Sequence, residues 1–552
     1  MSSPAAPNAS TTPVRDAIDP QRFPWIRPLV TAYAREFDRL GSFFAGNPAD
    51  PSAWRQAIAR VQGAPRDRSI VYAGVAAQLI RRSAPPESRA ALATLARPTA
   101  VAIVTGQQAG LFGGPLYALL KAVTAIRLAR HVSTTYQVEA VPVFWVEGDD
   151  HDWAEVKSAR VLDKDASVVN VTLGDLPGAG RQSVARLILD DSVGKTIARL
   201  AAVLPPTEFT PEVIAALTRS YAPGAGMAAA FAGWMDELLG REGLVVVEAD
   251  DPALKPPARA ILAREMATPR TAALARQAGE ALAALGHPPQ VQVADDAVAV
   301  FYSDADGRRA VRQHEDGLRI GESVRTKADV AAEIDAHPER FSPNVLLRPV
   351  VQDALFPTVC YVAGPAELAY QAQIGAVYQE HGVPAPLLYP RASVTLLDGA
   401  AARFFDRSGL PLEALQPQDD GALNRLLERE LPADFDAAMT SAEQAVTERV
   451  EALKAIVAPI DPTLGGAVDT TIDRMRDTLK ALQSKTVQAA KRKDETLRRQ
   501  FAKTRTLTFP EGVPQERALN VAFFVHRYGL ALGARLLEAL PIETDRHYLL
   551  VL

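Results

Sequence analysis

Apolar runs without polar interruption and longer amphipathic stretches alternate through the first 400 positions, and they predict buried strands and helices respectively. The runs are VAIVTG at 101–106, VPVFWV at 141–146, GLVVVEADD from 243, TVCYVAG at 358–364 and APLLYP from 385. Strands apolar on both faces belong in the middle of a parallel sheet, so these five, near 101, 141, 244, 358 and 386, predict one α/β sheet assembled discontinuously. Between Trp25 and about Leu92 the pattern is helical, with Pro51 at a helix start. Residues 155–230 mix short strands (ARVLD, SVVNVTL, ARLIL) with helices. From Val298 the short runs and Asp-Gly turns predict an antiparallel meander.

A different period governs 435–505. Leu464, Val468, Ile472, Met475, Leu479 and Leu482 recur every three or four residues, as do Met439, Ala442, Val446, Val450, Leu453 and Val457 before them. Pro459 and Pro462 mark a bend, so the segment predicts an antiparallel helical hairpin with a long arm of about 44 residues, about 65 Å. An apolar stripe of that length needs cover, and self-pairing in a homodimer is the expected partner, ahead of its own body or another molecule. Lys485, Lys491, Arg492, Lys493, Arg498, Arg499, Lys503 and Arg505 face only Asp494 and Glu495. A solvated basic helix end accounts for them; polyanion contact is the alternative.

Composition narrows the class. The 552 residues suit two to four domains, and 48% apolar with 23% charged residues excludes a chain disordered throughout. A single cysteine excludes a disulfide scaffold or a thiolate metal cluster within the chain. The net charge of −5 supports no bulk attraction to nucleic acid or membrane, and no uncharged apolar window of 18 residues occurs, so a cytoplasmic protein is expected.

Three clusters offer chemistry. The first is TGQQAGLFGGP, where Thr105, Gly106, Gln107, Gln108, Gly110, Gly113 and Gly114 follow a strand and precede a helix carrying Tyr117 and Lys121. Glycines there allow either a tight turn or an anion or nucleotide cradle at the helix start, although neither a Walker A loop nor GxGxxG is present. The second is Glu147-Gly-Asp149-Asp150-His151-Asp152, followed by Trp153. Crowded carboxylates need ammonium groups, a cation or hydrogen bonds, so this edge is a substrate or Mg²⁺ site or else an acidic helix cap; no zinc motif is present and no metal is assigned. The third runs from Asn344 through Arg348 to Gly364, Glu367 and Tyr370, with Arg391 beyond the last strand. Arg348 in an apolar run requires a carboxylate partner, from protein or substrate. Cys360, inside a strand, reads as a structural thiol. No spacing for covalent acyl transfer occurs, leaving non-covalent positioning of charged small molecules at the carboxyl edge of a sheet.

TGQQAGLFGGPLY, PVFWVEGDDHDWAEV, FSPNVLLRPVVQDALFPTVCYVAGPAELAYQAQ, PLLYPRAS and FPEGVPQERALN together resemble the bacillithiol biosynthesis cysteine-adding enzyme family, over about residues 95–525. The resemblance implies a Rossmann-like core akin to class I aminoacyl-tRNA synthetase-like folds, inserted connecting domains and a coiled-coil arm supporting a homodimer. It implies a ligase joining cysteine to the amine of glucosaminyl-malate, with ATP and Mg²⁺ activating a carboxylate. On that reading Gly106, Gln107, Gln108, Gly113 and Gly114 form a substrate or nucleotide floor. Asp149, Asp150, His151 and Asp152 meet an amine, and Arg348 and Arg391 meet malate carboxylates or phosphate. The expected divisions are a leader (1–20), helices and first core part (21–155), a connecting insertion (156–240), core return (241–298), a small α+β insertion (299–340), second core part (341–425), hairpin (426–505) and a C-terminal segment packing on the core (506–552). A scaffold or nucleic-acid binder acting through the basic hairpin end is the alternative.

Overall fold

A computed structural model describes residues 14–429, 434–493, 495–543 and 545–552. Its centre is a five-stranded sheet of β1 (Val101–Gln108), β2 (Ala140–Glu147), β3 (Val245–Glu248), β4 (Thr358–Ala363) and β5 (Leu387–Pro390). The spatial order is β5-β4-β1-β2-β3 and every neighbouring pair is parallel. These are the five expected strands, and their core positions from Val101 to Thr105 are fully buried, as strands covered on both faces require. The chain leaves β1 in one direction across the sheet and later enters β4 on its other side, creating a topological switch point between them.

The helix α1 (Leu116–Tyr136) joins β1 to β2 and is buried along most of its length. A hairpin (Ser158–Leu162 with Val168–Thr172), the single-turn helix Trp153–Val156 and three longer helices occupy the β2–β3 connection. The expected strand at ARLIL is instead a single turn at Val184–Arg186 followed by one isolated bridge, Ile188 to Gly226. The meander forms an antiparallel sheet within the β3–β4 connection, with Phe341–Pro343 added beside Ala297–Asp304. The long apolar segment from Leu346 is broken by α2 (Arg348–Leu355) before β4 begins. Asn344 Oδ1 accepts from the Leu346 and Leu347 amides, and Pro349 in the first turn has no amide to give a strand ladder. After β4, α3 (Pro365–Gln371) turns the chain back toward β5.

Val14–Ile18, expected within a flexible leader, is a strand paired antiparallel with His547–Val551. Residues 1–13 lie outside the described part. Ser393–Leu397 completes this second sheet. Its middle holds His547, whose ring nitrogens bond the hydroxyls of Ser393 and Thr395 at 2.8 and 2.9 Å.

Two compact units result, residues 1–396 with 514–552, and residues 397–513. The second is helical and contains Phe435–Glu451 and Leu464–Lys493, with Glu495–Thr508 after residue 494. Lys454 lies 2.6 Å from Asp469, and Gln483 reaches Asp436, so the two arms run antiparallel as the period requires. Val468 and Ile472 are buried in the hairpin, whereas Ile456, Ile460, Met475 and Leu482 remain exposed. The side chains of Lys491, Arg492 and Lys493, and all of Asp494, lie outside the described residues. Among the described residues no helix is long and apolar enough to cross a membrane.

Burial holds the His547 ring neutral, pulling its pKa down to about 4 against the favourable field of Glu516. The unfolded chain therefore takes up a proton below about pH 6.5 that the folded chain refuses, so this site weakens the fold as pH falls from 6.5 toward 4. Urea unfolding at pH 7 and pH 5 should show wild type losing about 2 kcal/mol more than His547→Asn over that interval. Equal losses would mean that His547 is not buried neutral.

Candidate active site

Each strand of the switch point delivers a polar side chain or a bare backbone to its carboxyl end. Together they line a cavity of about 660 Å³. Gly106, Gln107 and Gln108 come from the end of β1, Glu147 from β2, Tyr361 and Gly364 from β4, and Arg391 follows β5. Asn344 and Arg348 enter at the start of α2, and Glu367 and Tyr370 from α3. A volume of this size accommodates a drug-sized molecule.

Lys121, one turn into α1, is buried and directs its ammonium at Gly106 O (2.8 Å), Gln107 Oε1 (3.0 Å) and Glu367 Oε2 (2.5 Å). An ammonium has three protons, and all three are used. Glu367 also accepts from Tyr361 Oη at 2.6 Å and from the Gly364 amide at 2.7 Å. Burial alone would raise its pKa; the charge and hydrogen bond of Lys121 outweigh that and hold the carboxyl below its ordinary value. Burial in turn lowers the Lys121 pKa, and Glu367 offsets part of that shift. The pair fixes α1, β4 and α3 to one another and leaves Lys121 nothing to offer a phosphate.

The acidic edge divides in two. Glu147 accepts from Trp145 Nε1 (3.1 Å), lies 3.6 Å from Arg348 Nε, and has its pKa raised by burial against that guanidinium. Asp150 and His151 line the cavity and are half-exposed. Gln108 Nε2 donates to Asp150 at 3.0 Å, Arg308 lies 3.7 Å away, and His151 Nδ1 is 3.4 Å from Asp150 Oδ1 without a hydrogen bond. Asp149 and Asp152, expected at the same amine, are placed elsewhere. Asp149 chelates Lys255 Nζ with both oxygens at 3.0 Å, and Asp152 caps the Trp153–Val156 turn through the Glu155 amide. Trp153 is buried with its indole on Asp175, so it does not reach the cavity.

Arg348 donates to Gln352 Oε1 (3.1 Å) and Tyr370 Oη (2.8 Å), beside Glu147, satisfying the requirement for a carboxylate partner. Arg391 is buried, pairs with Glu516 at 2.7 Å, and lies 5.5 Å from the centre of the Tyr117 ring.

The glycine-rich stretch splits at Gln108. Thr105 is buried and donates to Val362 O. Gly113 and Gly114, expected in the floor, and Gly110, expected in the cofactor-binding loop, are absent from the cavity wall. Phe112 turns the loop into the interior, against Tyr221, whose hydroxyl donates to Gly110 O and accepts from the Gly113 amide. A Cβ on Gly113 would lie 3.0 Å from the Trp234 indole, and one on Gly110 would lie 2.9 Å from Gly114. These glycines serve chain-to-chain packing, so with Lys121 engaged the stretch does not fit a triphosphate cradle in this cavity.

Sequence reasoning missed Phe301 and Arg308, brought in by the meander, and Arg517; Tyr361, which reads from the sequence as a core or wall residue, is a buried part of the wall. Arg308 stacks on Phe301 at 3.6 Å, a contact between paired strands with no sequence signature. Arg517 lies in FPEGVPQERALN, which was legible as a motif but not as a wall of this site.

The N-terminal Rossmann-like domain model of bacillithiol biosynthesis BshC matches residues 17–392, and the C-terminal coiled-coil domain model of BshC matches 394–552. The chain belongs to the BshC family. Relatives named "Putative cysteine ligase BshC" include one from Salinibacter ruber, 35% identical over 94% of this chain and 95% of its own. One from Chlorobaculum tepidum is 33% identical over 83% and 84%, and one from Koribacter versatilis 33% over 83% and 85%. The switch-point cavity lies within the Rossmann-like match except for Arg517, which the coiled-coil match contributes.

Removing one member of a buried ion pair strands the other. Glu367→Gln should therefore lower unfolding free energy by about 3–5 kcal/mol, and the double variant Lys121→Met, Glu367→Leu should recover much of it. Urea denaturation of the three proteins checks this; an unchanged single variant would mean that Lys121 is solvated.

Proposed function

We propose that this BshC-family protein is a ligase that joins the carboxyl group of cysteine to the amine of glucosaminyl-malate, forming the amide of bacillithiol. One observation carries the reading: a single cavity at the switch point sets a carboxylate and imidazole edge (Glu147, Asp150, His151) against an arginine edge (Arg348, Arg391). Glucosaminyl-malate carries an ammonium on its sugar and carboxylates on malate, matching the two edges in sign. The names of the relatives support the same reaction class.

The chain's own groups would act in sequence. Asp150, held by Gln108, attracts the ammonium to the half-exposed edge. His151, beside Asp150, accepts the proton the amine must lose before it attacks, since only the free base is nucleophilic. Glu147 keeps Arg348 in place, and Arg348 with Tyr370 defines the far wall. Carboxylate activation by ATP with Mg²⁺ is part of this proposal, because an amide does not form from a carboxylate and an amine in water unaided. Its phosphates are not assigned to Gly110–Gly114 or Lys121. Self-association through the hairpin belongs to the proposal too, supported by the exposed Met475 and Leu482 on the apolar stripe.

Purified protein given cysteine, glucosaminyl-malate and Mg·ATP should yield bacillithiol with cysteine-dependent AMP or ADP, followed by mass spectrometry. His151→Gln should lower turnover about a hundredfold, the ordinary worth of a general base, and Asp150→Asn should weaken amine binding and turnover together. Unchanged turnover at Asp150→Asn would remove that edge from the reaction. In sedimentation, aspartate at Met475, Leu479 and Leu482 should convert a dimer to monomer; an unchanged mass would mean that the exposed stripe is not the self-association surface.

A further inference from the structure

Five cationic side chains line the cavity: Lys121, Arg308, Arg348, Arg391 and Arg517. Four are already engaged by protein carboxylates. Lys121 is taken by Glu367 (2.5 Å), Arg391 by Glu516 (2.7 Å), Arg348 by Glu147 (3.6 Å) and Arg308 by Asp150 (3.7 Å). All four are buried to an extent that makes such a partner obligatory. Arg517 differs: it is exposed at the cavity wall, and its guanidinium has no partner among the described residues.

An exposed arginine on a mobile loop would mean little, but this one stands on a fixed base. It lies on the short helix α4 (Gln515–Ala518), in which every other residue is buried. The side chain of Gln515 bridges the amide and carbonyl of Leu396 at 2.7 and 2.9 Å. Glu516 is bound by Arg391, Ser393 Oγ and the Val394 amide. Asn520, two residues beyond the helix, donates to Leu111 O at 2.8 Å. The backbone beneath Arg517 is thus tied to β5's exit and to the β1 loop; burial raises the pKa of the Tyr117 hydroxyl in the same cavity, and the Arg517 charge opposes that rise without cancelling it.

We infer that Arg517 is the residue that binds a carboxylate of the amine-bearing substrate, an inference that rests on the ligase reading above. Arg348 and Arg391, which that reading places on the malate side, are each beside a protein carboxylate, Glu147 at 3.6 Å and Glu516 at 2.7 Å; among the described Lys and Arg side chains of the cavity, Arg517 is the one without an ion pair. A guanidinium fork pairs both oxygens of one carboxylate. A triphosphate would need several uncommitted donors, and the glycines and Lys121 that would supply them are turned away or occupied.

Isothermal titration of the full-length protein separates the possibilities without depending on turnover. Arg517→Ala should weaken glucosaminyl-malate binding about ten- to a hundredfold, and Arg517→Lys should recover part of it, because a lysine restores charge without the fork. The dissociation constants for cysteine and for Mg·ATP should stay at their wild-type values. Unchanged glucosaminyl-malate binding in Arg517→Ala, or a loss confined to Mg·ATP, would overturn the assignment while leaving the ligase reading in place. Wild-type protein that binds no glucosaminyl-malate would refute both. Arg517 is exposed, so a circular-dichroism melt matching wild type should accompany the variant; a lowered melt would give it a structural role instead.

Discussion

The buried ion pair between Lys121 and Glu367 decides how the centre of this molecule is built. It spans the one place in the parallel sheet where the order of strand addition reverses, between β1 and β4, where no crossover helix covers the strand ends. Bringing both charges out of water there is expensive unless each is fully answered. The answers come from Gly106 O, Gln107, Tyr361 Oη and the Gly364 amide, so one pair sets the positions of two strand ends, a helix start and a cavity wall.

The same demand repeats around the cavity and explains why the C-terminal segment must return to the first unit. Arg391 keeps its charge wherever it sits, so its buried position is costly without Glu516, which is 125 residues away in the chain. Glu516 in turn would be an unpaired buried acid without Arg391, Ser393 and the Val394 amide. Leu396 and Gln515 are hydrogen-bonded neighbours, so the helical unit between them is an excursion that leaves and re-enters at adjacent points. Inserting a helical arm there leaves the sheet's register undisturbed, whereas inserting it between β1 and β2 would separate the two longest strands.

Legibility in the sequence followed the strength of the local signal. Five apolar runs were readable as strands because burial on both faces leaves no alternation, and the hairpin was readable because its period persists over many turns. Arg348 to Leu355 was harder: an apolar run with one arginine gives no face, and the helix start depends on Asn344 accepting two amides, a contact made only after the turn forms. The glycines after Gln108 show a deeper limit. A ligand approaching the backbone and a neighbouring chain packing on it both require the absence of a Cβ, and only the position of Trp234, more than a hundred residues on, decides between them at Gly113. Asp149 and Asp150 are adjacent and chemically identical, yet Lys255 claims one and leaves the other facing the cavity. Residue type marked the region of the site; which members face it was set by partners distant in the chain.

Solvation divides the labour among these charges. Those that are buried are paired with one another, and their worth to a bound molecule lies in holding dipoles and walls in fixed positions that need no rearrangement when substrate arrives. A charge can discriminate between ligands only if part of its field is left to solvent, and on the proposed ligase reading that task falls to the exposed and half-exposed groups of the cavity, Arg517, Asp150 and His151. On that reading, placing recognition beside solvent has a kinetic consequence as well. An amine must arrive as the abundant ammonium and react as the scarce free base, so the group that attracts it and the group that takes its proton must be neighbours with access to water. Asp150 and His151 are adjacent in the chain and half-exposed, which allows the proton to leave to solvent; a fully buried base would have to release it through the interior, past carboxylates that are already paired.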